Sequence, residues 1–215
     1  MKKFLLIAVL ALPIFAGEPL AFTVIGIDCA MCAKPVTNVL QSVDGVSNVR
    51  LDWKAGRAVV DVPPSFDRTR IRTALTNAGY DAVFAGETRK DIEPLPAAVV
   101  ATLDIVVYPG TSKLDIAKTV VAGKITIIDY YADWCGPCRV LETRLERLMN
   151  GDRSIALRRV NIGKWDNAAA KQATELKAEA LPYIRVYDAK GNFVAAVTGG
   201  MWDEVLGAIE KAKGR

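Results

Sequence analysis

The chain of 215 residues contains no histidine. That absence removes Ser-His-Asp triads, Cys-His protease pairs and His-ligated zinc or haem from the possible chemistry. Cysteine is scarce as well, with four residues, and the aromatics make up 7%. Charge of neither sign dominates: 28 Lys+Arg stand against 24 Asp+Glu, a formal net of +4. The one small basic cluster, Arg68, Arg70 and Arg72, reads as a solvated helix face, so no nucleic-acid partner is expected. Gly-rich phosphate loops and EF-hand loops are missing too. What remains is a globular composition, 51% hydrophobic and 24% charged.

No apolar run is long enough to span a bilayer. The longest, Phe4–Ala16, is broken by Pro13. As a helix it covers about 20 Å, against a hydrocarbon core of roughly 30 Å. It follows Lys2 and Lys3, so residues 1–16 read as a secretory signal cleaved near Ala16, with Ala21 as a second position. The expected location is the bacterial periplasm, where disulfides persist.

The four cysteines form two pairs of identical spacing, Cys29/Cys32 and Cys135/Cys138. A charged, proline-bearing stretch at residues 89–97 (Pro94, Pro96) reads as a linker between a module at 20–88 and one at 98–215. The first module alternates as strand 22–27, helix 33–43, a hairpin at 46–62, a helix around Ile71–Ala78 ended by Gly79, and strand 80–85. That order, βαββαβ, is ferredoxin-like. In the second module, strands are expected at 99–108, 125–131, 155–161, 183–188 and 193–198. Helices are expected at 112–122, 135–149, 167–177 and 202–213. Alternation followed by a hairpin predicts a mixed central sheet, so the fold class is α/β throughout.

Cys135-Gly136-Pro137-Cys138 follows a buried-looking strand and opens a helix. Helix N-terminal amides stabilise a thiolate, which makes Cys135 the expected nucleophile and Cys138 the resolving thiol. Asp129 lies within an apolar strand, where a carboxyl is costly without a task; it is a candidate proton acceptor for Cys138. A structural disulfide or a zinc half-site is the alternative, although so short a loop stabilises a fold by only about 2 kcal/mol.

The segment YYADWCGPCR resembles the active site of thioredoxins, and the likeness extends over the second module. It is most similar to the exported domain that ends DsbD-type reductases. The resemblance implies a cis Pro182 facing the cysteines, Trp134 flanking them, Asp129 as the buried acid and Gly199 in the substrate surface. Leu181 and Tyr183 depart from the family's usual neighbours of that proline. The implied activity is thiol-disulfide oxidoreduction, in the reducing direction because the dipeptide is Gly-Pro. The implied partners are a protein disulfide substrate and a membrane thiol reductant as electron donor.

Gly26-Ile27-Asp28-Cys29-Ala30-Met31-Cys32 joins the first strand and helix of the first module. Two thiolates without histidine suit a soft ion and are too few for a closed zinc site. This segment resembles heavy-metal-associated domains, with Ile27 in place of the family's methionine. The resemblance implies Cys29 and Cys32 as ligands of Cu(I) or Hg(II), Tyr80 packed near the loop, and a copper-protein target as a possible partner. A metal-free disulfide and a redox pair that exchanges with Cys135/Cys138 remain open. Residue spacing does not say whether the two loops meet. The rival for the whole chain is a copper or mercury trafficking protein whose second module binds and does not catalyse.

Overall fold

The computed structural model describes residues 17–27 and 29–214. The expected signal at 1–16 lies outside the described residues, as does Asp28. Among the described residues, no helix is long and apolar enough to cross a membrane.

The first unit contains β1 (Glu18–Ile25), α1 (Ala30–Gln41), β2 (Ser47–Asp52), β3 (Arg57–Val62), α2 (Thr69–Asn77) and β4 (Asp81–Phe84). Its sheet has the order β2-β3-β1-β4, and every neighbouring pair is antiparallel. Alternation sends Phe22 and Val24 of β1, Ala58 and Val60 of β3, and Ala82 and Phe84 of β4 into one core. Val36/Leu40 and Ile71/Leu75, each four residues apart, close it from the helices. This is the ferredoxin-like arrangement that the βαββαβ order predicts.

After the 3-10 turn Lys90–Ile92, the second unit contains α3 (Ala97–Val100), β5 (Ile105–Tyr108), α4 (Ile116–Thr119), β6 (Ile125–Tyr131) and α5 (Gly136–Gly151). It continues with β7 (Ile155–Asn161), α6 (Ala168–Glu175), β8 (Tyr183–Tyr187), β9 (Phe193–Thr198) and α7 (Trp202–Ala212). The sheet order is β5-β7-β6-β8-β9. β7 runs parallel to β5 and β6, while β8 is antiparallel to β6 and β9, so the sheet is mixed as expected. β6 lies at its centre, and all seven of its residues are buried, which explains their nearly continuous apolar run.

Two expected elements are shorter. The strand anticipated from residue 99 begins only at Ile105. Pro96 caps the single helical turn of α3 ahead of it, and β5 is an edge strand with one hydrogen-bonded neighbour. The helix anticipated at 112–122 contracts to α4. Gln172 of α6 takes both backbone groups of Leu114, accepting from its N–H at 2.8 Å and donating to its carbonyl at 2.7 Å. Asp115 then caps α4 by accepting from the Lys118 amide. In the first unit, β1 begins at Glu18, where it pairs with Val62, and ends at Ile25.

The two units pack against each other. A Cβ on Gly79 would stand 2.8 Å from the Pro137 Cβ and 3.2 Å from the Gly200 backbone. Gly79 has φ +81°, so glycine serves there both for its backbone conformation and for this close approach. On the same face a Cβ on Gly26 would meet Val140 at 2.8 Å. Beside these contacts lies a charged cluster. Asp81, fully buried, is paired with Arg144 of α5 and held bidentately by Arg89 at 2.7 and 2.9 Å.

Candidate functional site

Both cysteine pairs are built the same way. Cys135 is the N-cap of α5, in extended conformation, and its Sγ accepts from the Cys138 amide at 3.2 Å. Pro137 stands in the first turn, where a missing N–H costs the helix nothing. Cys29 caps α1 likewise, and its Sγ accepts from the Cys32 amide at 3.2 Å. Each pair is disulfide-bonded. Positive helix ends at both sulfurs favour their thiolates on reduction. Cys138 is fully buried and Cys135 is 5% exposed. Cys29 and Cys32 are partly exposed.

The two loops share one cleft of about 360 Å³. Cys29, Met31, Cys32 and Tyr80 line it from the first unit, and Trp134, Cys135, Pro137, Trp165 and Leu181 from the second. Its rim is apolar and open: Met31 is 81% exposed, and Trp134 and Trp165 are about half exposed. Tyr80 is buried beside the first loop, and burial raises its phenol above the ordinary value. No group of three or more Cys, Asp or Glu side chains is arranged to hold a metal among the described residues.

Of the remaining residues named from the sequence, Trp134 lines the cleft with Cys135, as does Leu181 next to Pro182, and Asp129 lies in β6. Trp134 donates its indole N–H to the Gly163 carbonyl at 2.6 Å, which pins the ring beside the loop. The Leu181–Pro182 peptide is cis, and the Pro182 carbonyl accepts from the Gly199 amide at 2.7 Å. Asp129 is fully buried in β6. Burial pushes its carboxyl up to about 6, while the Arg159 guanidinium, 3.0 Å away, opposes the rise.

Two parts of the site escaped the sequence reading. Arg159 of β7 lies opposite Asp129 in register, pairs also with Glu142 of α5, and stacks on the Tyr131 ring at 3.8 Å. Its signal was weaker than that of Asp129, because β7 also contains Arg158 and Asn161. The Asp81–Arg144 pair had no comparable signal, since its partners stand 63 residues apart.

Residues 21–81 match the heavy-metal-associated domain family, and residues 111–211 match the thioredoxin family. Thioredoxin-T of Drosophila melanogaster is 30% identical over 112 residues, covering 50% of this chain and 68% of that protein. Chloroplastic thioredoxin F of Oryza sativa subsp. japonica is 29% identical over 90 residues, covering 42% of this chain but only 46% of its own length. The structure of oxidized MerP from Ralstonia metallidurans CH34 covers 33% of this chain and 99% of its own, at 25% identity and a TM-score of 0.31. The chain belongs to the thioredoxin family. Its particular form is a thioredoxin domain preceded by a heavy-metal-associated domain.

Proposed function

We propose that the protein is an exported thiol-disulfide oxidoreductase, working in the reducing direction, whose first domain binds a soft metal. The observation that carries this reading is the placement of Cys135. It caps a helix, has a buried partner sulfur one turn on at Cys138, and is bordered by Trp134 and by the loop of the cis Pro182.

In the proposed cycle, the Cys135 thiolate attacks a substrate disulfide and forms a mixed disulfide. Cys138 then attacks the Cys135 sulfur and releases the reduced substrate. Cys138 must lose its proton for this step. Asp129, with its carboxyl raised to about 6, is the assigned acceptor, ionised at neutral pH and basic enough to take a proton transiently. Pro182 borders the site where substrate backbone would dock, and Trp134 shields the thiolate. A membrane thiol reductant is the assigned source of electrons, and the periplasm the assigned compartment.

Cys29 and Cys32 suit Cu(I) or Hg(II): two sulfurs at a helix N-terminus, with no cluster of three or more ligating side chains among the described residues, in a mostly apolar cleft. As a disulfide they offer no thiolate, so binding depends on reduction. The metal is cargo here and takes no part in the exchange. The test is insulin reduction by the wild type and by Cys135→Ser, with dithiothreitol as electron source. Activity abolished in Cys135→Ser supports the enzyme. A wild type inactive on both insulin and small disulfides overturns it in favour of the metal-trafficking reading. A potential for Cys135/Cys138 above roughly −150 mV would overturn the direction.

A further inference from the structure

We infer that the substrate Cys135 is positioned to reduce is the Cys29–Cys32 disulfide of its own chain, and that the docked first domain narrows the approach of other proteins to the site. This rests on the oxidoreductase reading above and adds the substrate to it. Three observations carry it. Cys29 and Cys32 line the same cleft as Cys135. The first domain is seated directly on the first turns of α5 and on the loop before α7: Gly79 against Pro137 and Gly200, and Gly26 against Val140 and the Gly136 carbonyl. Side chains at Gly79 or Gly26 would hold the domains apart. Finally, the seat is charged and buried, with Asp81 joined to Arg144 of α5.

The consequence for access is direct. Cys135 is 5% exposed, and the surface around it is already occupied by the chain's own domain. Docking narrows a folded protein disulfide's approach to Cys135 to this one cleft, which the Cys29/Cys32 loop already lines. The Cys29–Cys32 disulfide needs no encounter, because the short linker and the docked face hold it at high effective concentration.

The exchange balances within the chain. The reduced Cys135/Cys138 pair, charged by an external dithiol, begins the step. The Cys135 thiolate bonds to one sulfur of the Cys29–Cys32 disulfide, that S–S bond breaks, and the other sulfur leaves as a thiolate. Cys138 loses its proton and attacks Cys135, the mixed disulfide breaks, and the second sulfur leaves. Two electrons have moved: Cys135–Cys138 is now the disulfide and Cys29/Cys32 the dithiol. The product is the only state of the first domain that binds a soft metal, so the thioredoxin domain arms the metal site.

The test uses the full chain with trapped sulfurs. C138S/C32S retains Cys29 and Cys135, and C138S/C29S retains Cys32 and Cys135. Each is oxidised with diamide and followed by non-reducing electrophoresis and peptide mass spectrometry. The inference expects a Cys135 cross-link to Cys29 or to Cys32 within monomers, at a rate unchanged on dilution. In the same backgrounds Gly79→Val slows the cross-link about tenfold by parting the domains. Reduction of cystamine by the otherwise wild-type chain is measured beside it. Cystamine reduced through Cys135 with no intramolecular cross-link overturns this inference and leaves the oxidoreductase reading standing. Cystamine untouched overturns both. Cross-links that appear only between chains, faster at higher concentration, also overturn it.

Discussion

Asp81→Asn tests the docked interface through one buried group. Asp81 is wholly buried and neutralises two guanidiniums, those of Arg144 and Arg89. Arg144 is itself 3% exposed, with its Nε and one Nη unpartnered and the Trp202 ring 5.7 Å away. Removing the charge strands Arg144, and breaking a buried pair in this way costs about 3–5 kcal/mol. The Asp81–Arg144 pair joins β4 of the first unit to α5 of the second, so the cost falls on docking more than on either fold. A loss of 3 kcal/mol shifts the docked-to-undocked ratio on the order of a hundredfold. Two results are expected. Urea unfolding, one transition in the wild type, separates into two in Asp81→Asn. Insulin reduction accelerates, because undocking uncovers Cys135. Asp44→Asn breaks an exposed pair with Arg70 and should change neither. An Asp81→Asn protein with unchanged unfolding and an unchanged insulin rate would refute the reasoning.

Three further outcomes are expected. The Asp129 carboxyl is raised from 3.8 to about 6, so the folded state holds a proton that the unfolded chain releases, and stability falls as pH rises from about 4 through 6. Relative to Asp129→Asn, the wild type should lose up to about 3 kcal/mol across that window in denaturant titrations, while at pH 7 the variant resolves mixed disulfides more slowly. Arg159→Met removes the group that opposes this rise, so the pH midpoint of the resolving step should move upward from about 6 in rapid-quench measurements; a midpoint that stays or falls contradicts the assigned pairing. Cu(I) titration with a competing chelator should show binding by the reduced chain, none by the oxidised chain, and loss of first-domain binding in C29S/C32S.

The sequence made the chemistry legible where it is local. Each CxxC caps the helix that follows it, and the apolar run ITIIDYY marked both the central strand and its misplaced Asp129. The ferredoxin-like core was visible from i, i+4 pairs such as Val36/Leu40 and from alternation in β3. What was not legible depends on distant partners. Residues 112–114 look helical until Gln172, 58 residues on, takes the Leu114 backbone. Arg159 gains its meaning only from the register that sets it opposite Asp129. That the two cysteine loops face one cleft follows from Gly79, Asp81 and Arg144, ordinary turn and surface residues by type. Glycine at a helix end predicts a stop, as Gly79 does after α2; nothing in that pattern predicts a second domain against it.

The central claim is that electrons pass from Cys135/Cys138 to Cys29/Cys32. The most direct measurement is the redox potential of each pair in the full chain, taken with the other pair changed to serine and without metal. The account predicts a thioredoxin-like value near −270 mV for Cys135/Cys138 and a less negative value for Cys29/Cys32. A Cys29/Cys32 potential more negative by about 30 mV or more, a tenfold bias against transfer, would contradict it.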